Sequence, residues 1–172
     1  MVFESFLTFV QHGGYLEIFV ASFILNATVL IPIIPLPSYL PIIVGVGIGL
    51  NPLLTGLIAG VGGSLAKLIP YFAGFGGSAA IEKFEHRTPR FLKILERFYS
   101  NIGFLTIMIW SFLPLPSDII CVLSGAAEYD VKKFFTAFLI GRTARSIIIA
   151  YIGTFLIEFG QNLLQYIVHL FA

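Results

Sequence analysis

Residues Trp110–Arg145 read WSFLPLPSDIICVLSGAAEYDVKKFFTAFLIGRTAR, and the reading of this stretch decides the fold. It is strongly apolar, yet Pro114 and Pro116 cut it near its start. Past the cut it sets Asp118 in an apolar run, then Arg142 and Arg145 within the next helix. A soluble core has little use for ions in that setting. Membrane transporters do, because broken helices and intramembrane charges build their substrate sites.

Working outward, 58% of the 172 residues are hydrophobic and 11% are charged, with a mean hydropathy of +0.96. A soluble domain carries about 25% charged residues, so the expectation is an all-α polytopic protein forming a single membrane domain over 1–172. Cys121 is the only cysteine, which excludes an intramolecular disulfide and argues against a metal cluster. The N-terminal residues carry no Lys or Arg ahead of their apolar positions, unlike a signal peptide. Residues 2–12 have the spacing of a short interfacial helix.

Tyr15–Ile31 predicts an apolar helix of about 17 residues, near the lower limit for crossing a bilayer. It runs into IPIIPLPSYLP, where Pro32, Pro35, Pro37 and Pro41 should stop it. Ser38 is the expected N-cap of a second short helix, Tyr39–Gly47. Together the two read as a re-entrant hairpin whose opened backbone must face protein or a wet cavity. Leu53–Phe75 then reads as a full span with small residues, Gly62 among them, on a packing face. Residues 76–101 form a polar, amphipathic connector. Ile102–Leu113 enters the membrane, breaks at Pro114–Pro116, and restarts at Ser117 as a short helix to about Ala127. Val131–Ile157 is the long span, and the tail from about 160 to 172 is expected along the surface.

The offset from 35 to 114 lays Pro35-Leu36-Pro37-Ser38 on Pro114-Leu115-Pro116-Ser117. The same offset pairs Asn51 with Asp130, Gly62 with Gly141 and Gly74 with Gly153. The chain therefore reads as two repeats, about 15–75 and 102–159. Lys83, Arg87, Arg90, Lys93 and Arg97 all fall in 76–101, so that connector should be cytoplasmic. Lys132 and Lys133 return to the same side, both termini lie outside, and the two repeats take opposite topology. Such repeats hold the substrate where they meet.

The pattern Trp110, Pro114, Asp118, Gly125, Phe135, Gly141-Arg142 and Arg145 resembles the DedA superfamily (the VTT, or SNARE-associated, domain), most closely its YqaA-like branch. The resemblance covers about Tyr15–Phe159. It implies two facing re-entrant hairpins and movement of phospholipids or polyprenyl phosphates between leaflets of a prokaryotic cytoplasmic membrane, with proton coupling proposed for some bacterial members. Two places depart from the usual pattern: Ser38 is followed by Tyr39 where Pro-Ser-Glu is common, and Trp110-Ser111-Phe112 stands where many members carry an Arg.

Each candidate has a plainer role beside the functional one. Arg142 lies roughly 16 Å into its span, where an Arg costs ~2.5–3.5 kcal/mol on the lenient insertion scale. It and Arg145 bind a phosphate, or else clamp Asp118 or free carbonyls of a hairpin. Asp118 complements a helix dipole, pairs with one of those arginines, or carries a proton. Lys67 adds to the positive site or snorkels toward the cytoplasmic face. Ser38 and Ser117 cap short helices, or open helix N-termini to an anion. Pro35, Pro37, Pro114 and Pro116 make the breaks, and Gly62, Gly141 and Gly153 allow close helix packing. Glu128 and Asp130 belong in a wetted loop, and His12, His86 and His169 have no ligand spacing.

No nucleophile–base pair, phosphate-binding Gly loop or metal motif is present, so no enzyme, cofactor or nucleic-acid partner is expected. Arg142, Arg145 and Lys67 against Asp118 alone make a cationic cavity. That suits a lipid with a phosphate head group, since the guanidinium fork binds phosphate oxygens in pairs. A carrier of small anions or ions and a non-transporting membrane scaffold are the alternatives.

Overall fold

The computed structural model of the chain describes residues 14–27, 37–85 and 102–171. Helix α1 spans Tyr15–Asn26, α2 Leu40–Gly47, α3 Pro52–Ala66 and α4 Leu68–Glu85. They are followed by α5, Ile102–Phe112, α6, Ser117–Ala126, and α7, Val131–Phe171. No strand occurs among the described residues. Two helical stretches, Pro52–Gly77 and Val131–Leu163, are long and apolar enough to cross a membrane by length and composition. At ~1.5 Å per residue, α1 and α2 are each far shorter than the ~30 Å hydrocarbon layer.

The long helices α3 and α7 cross with their backbones nearly touching. A Cβ on Gly56 would sit 2.6 Å from the Ile147 Cα, and one on Gly60 2.7 Å from the Thr143 Cα. Residue numbers rise along α3 as they fall along α7, so the two helices are antiparallel. The apolar contacts gather into two clusters, one at each end of this crossing. Ile18, Ala21, Ile42, Val46 and Ala59 from the first half close around Ala150 of α7. Ile107, Ile120, Cys121, Phe134 and Phe138 from the second half close around Tyr71 of α4. Tyr71 stacks on Phe134 with ring centroids 4.7 Å apart. Outside, large apolar side chains stand exposed, Phe155 at 66% and Phe72 at 54%, a surface suited to hydrocarbon rather than water.

The ends of the two short helices repeat one another bond for bond. After α2, the Gly49 N–H donates to the Val46 carbonyl and the Leu50 N–H to Gly45, both at 3.1 Å. After α6, the Glu128 N–H donates to Gly125 at 2.9 Å and the Tyr129 N–H to Ser124 at 3.1 Å. Both are the paired closure of a helix by one residue in the left-handed region: Gly49 at φ 89° and Glu128 at φ 50°. The next residue then caps the long helix. Asn51 Oδ1 accepts from the Leu53 and Leu54 N–H groups, and Asp130 Oδ1 accepts from the Lys133 N–H at 2.9 Å. Every pair lies at the offset that aligns the two PLPS breaks.

Several boundaries differ from expectation. The first helix stops at Asn26, and residues 28–36, with Pro35 of the first break, lie outside the described residues, as does most of the 76–101 connector. The expected single span Leu53–Phe75 is interrupted at Lys67. Pro70 explains this: it has no N–H for the Ala66 carbonyl, and its ring crowds that carbonyl. The tail does not form a separate surface helix, because α7 continues unbroken through Gly160 to Phe171. Ser38 is not the cap of α2; Tyr39 holds that position without a side-chain bond, and the Pro37 carbonyl accepts from Leu40 at 2.9 Å. Likewise Ser117 is the first residue of α6 rather than its cap, which is Pro116.

Candidate functional site

The helix interruption at Lys67 turns its side chain into the protein, where Nζ meets Asp118 Oδ1 at 2.5 Å. The lysine side chain is 5% exposed and the aspartate 24%. Lys67 therefore does not snorkel: its charge is held inside by a partner on α6. Asp118, in the first turn of α6, also complements the positive end of that helix. Asp118 pairs with Lys67, not with Arg142 or Arg145 as the alternatives had it. This pair cancels, so Lys67 adds nothing to the positive balance.

Arg142 is buried in the α3–α7 crossing. Its Nη2 donates to Asn26 Oδ1 at the end of α1, and the Asn26 amide in turn donates to the Ser22 carbonyl at 2.7 Å. Its guanidinium lies over Gly63, where a Cβ would come within 2.5 Å of Nε. That Nε has no hydrogen-bond partner. Among the described residues no carboxylate pairs with this cation.

Arg145, three residues on, diverges from Arg142. Its Nη1 donates to the Leu113 carbonyl at 3.2 Å, which also accepts from the Leu115 N–H at 2.8 Å in the turn where Pro114 halts α5. The Trp110 indole donates to the Pro116 carbonyl at 3.3 Å, closing the other side of the break. Arg145 also lines a cavity of about 290 Å³ with Tyr39, Ile43, Pro114, Ile149, Ile152, Gly153 and Leu156. Tyr39 directly follows the first PLPS motif and Pro114 belongs to the second, so both breaks border this one space. Arg142 does not line it. Among the described residues its lining has a single charge and is otherwise mostly apolar.

The glycines divide by neighbour. A Cβ on Gly62 would meet the Phe19 carbonyl and one on Gly141 the Ser111 hydroxyl and Met108 carbonyl, whereas Gly153 faces only the Val46 side chain at 3.3 Å. Glu128 and Asp130 are exposed in the loop after α6. Asn26 is the residue that sequence reasoning missed. An asparagine within an apolar helix was the available signal, since such a side chain needs a buried partner.

The family model of the VTT domain matches residues 32–155. The uncharacterized protein MJ0201 of Methanocaldococcus jannaschii is 26% identical over 145 residues, covering 83% of this chain and 85% of that one. No solved structure matches. With the family model spanning both breaks, both short helices and most of α7, the chain belongs to the VTT-domain, or DedA, family of membrane proteins.

Proposed function

We propose that the protein moves a lipid with an anionic phosphate head group, a phospholipid or a polyprenyl phosphate, between the leaflets of a prokaryotic cytoplasmic membrane. The observation that carries this reading is the cavity at Arg145, where one cation stands in a wall of Ile43, Ile149, Ile152 and Leu156. A small soluble anion has no use for that wall, whereas a phosphate on acyl or prenyl chains matches both parts. The charge balance points the same way: once Lys67 and Asp118 cancel, the two arginines remain.

The arrangement we infer is two re-entrant hairpins, α1–α2 and α5–α6, dipping toward each other from opposite leaflets. Supporting it are arms too short to cross alone, matched caps at one constant offset, the antiparallel α3–α7 crossing, and breaks that border one cavity. With the basic 76–101 segment cytoplasmic, both termini lie outside. Opposed movement of the two repeats would alternate access to Arg145.

Reconstitution tests it. Liposomes containing the protein should exchange an acyl-labelled phospholipid between leaflets, and Arg145→Ala should abolish the exchange. Chloride or phosphate flux without lipid exchange would favour an ion carrier. Rates equal to empty liposomes for lipids and anions alike would leave a scaffold.

A further inference from the structure

A second cavity lies on the same α2–α7 seam, at the opposite end of α2 from Arg145. Its volume is about 340 Å³, and Gly47, Gly49, Asn51, Thr154, Glu158 and Gln161 are among the residues that line it. The chemistry here is the reverse of that at Arg145. Glu158 is exposed and has no ion pair among the described residues. Thr154 Oγ1 donates to the Ala150 carbonyl at 3.0 Å, so its oxygen is left only as an acceptor. No cation lines the space among the described residues.

Depth along α7 fits a head-group position. Counting from Val131, beside the exposed Lys132 and Lys133, Glu158 lies ~40 Å along the axis at ~1.5 Å per residue, beyond the ~30 Å hydrocarbon layer. Arg145 lies ~21 Å along, inside that layer. Between them Ile149, Ile152 and Leu156 face the seam.

We propose that the Glu158 cavity is an ammonium-binding vestibule through which an amine-bearing phospholipid head group enters before its phosphate reaches Arg145. The inference rests on the lipid reading above and narrows it to lipids that carry a positive group beyond the phosphate. Glu158 accepts from the ammonium, with Thr154 and Gln161 beside it. A polyprenyl phosphate offers no donor to Glu158, and a glycerol head group offers only neutral hydroxyls. The shared chemistry is an ammonium ion, which a free amine also offers.

The test uses the full chain and two acyl-labelled probes, phosphatidylethanolamine and phosphatidylglycerol. In detergent, the wild type should bind the amine lipid up to about fivefold tighter, the worth of one exposed ion pair. Glu158→Gln, a surface change, should erase that preference and leave phosphatidylglycerol binding unchanged. In phosphatidylglycerol liposomes, leaflet exchange should show the same preference and the same loss. A preference that survives Glu158→Gln, or none in the wild type, overturns the vestibule. Ethanolamine that binds in a Glu158-dependent way while the lipid does not would make the ligand a soluble amine and overturn the lipid assignment. If neither lipid exchanges in liposomes, the translocation reading fails, yet the binding comparison still decides the vestibule.

Discussion

The guanidinium of Arg142 rests on the Cα of Gly63, so close that a Cβ there would fall 2.5 Å from Nε and 2.9 Å from Nη2. No other residue type leaves room for this contact, and the arginine cannot retreat because Asn26 holds its far end. Gly63→Val should therefore push the cation off its seat. Overpacking of this kind costs about 1–3 kcal/mol, read as a lower melting temperature in detergent. Gly76→Val, where nothing lies within 4 Å, should leave melting unchanged. Equal melting of both variants would show that Arg142 moves aside freely.

The Lys67–Asp118 pair should behave asymmetrically when broken. Asp118→Asn strands a lysine that is 5% exposed, whereas Lys67→Met strands an aspartate that is 24% exposed. Breaking a buried pair costs up to about 3–5 kcal/mol, more for the deeper survivor, so Asp118→Asn should melt lower than Lys67→Met. The double variant Lys67→Met/Asp118→Asn should recover most of the loss, since no buried charge remains. Thermal unfolding of the four proteins completes the cycle. Additive losses would mean that the two side chains are independent.

How far the sequence reached follows from which interactions are local. The second break, α6 and the start of α7 were legible because proline and the apolar run act on their own neighbours, although Asp130, read only as a loop residue, is the cap of α7. The kink at Lys67 was also legible in Pro70, which an averaged hydropathy reading passes over. The partners of the charges were not. Asn26 and Arg142 lie far apart in sequence, as do Lys67 and Asp118. Three residues of helix put Arg142 and Arg145 on neighbouring positions, but only the packing decides that one faces Gly63 and the other the Leu113 carbonyl.

The matched turns after α2 and α6 differ at one residue, and that difference predicts opposite effects. Gly49 occupies φ 89° freely, while Glu128 holds φ 50° with a side chain attached. A left-handed non-glycine residue costs about 1–2 kcal/mol, so Glu128→Gly should raise stability by up to about 1 kcal/mol, less the entropy glycine gains when unfolded. Gly49→Ala should lower it by a similar amount. The melting temperatures of the two variants check the sign. A fall for Glu128→Gly would mean that its carboxylate makes a contact worth more than the relief of strain.

The two arginines should separate in function and stability. Arg142 is 7% exposed and engages Asn26, so Arg142→Ala opens a void between α1, α3 and α7 and leaves the Asn26 oxygen unpaired. Its loss should lower melting by an amount corresponding to about 1–3 kcal/mol for that oxygen alone. Arg145 is only half-buried, and it donates to the Leu113 carbonyl next to the cavity residue Pro114. Arg145→Ala should change melting by less than Arg142→Ala while removing lipid exchange. Arg145→Lys keeps the charge but loses the planar fork, and should restore binding of a phosphate head group only in part. Measuring exchange and melting on the same preparations distinguishes the roles: if Arg145→Ala melts as low as Arg142→Ala, or exchanges lipid at the wild-type rate, Arg145 is a clamp on the second break and nothing more.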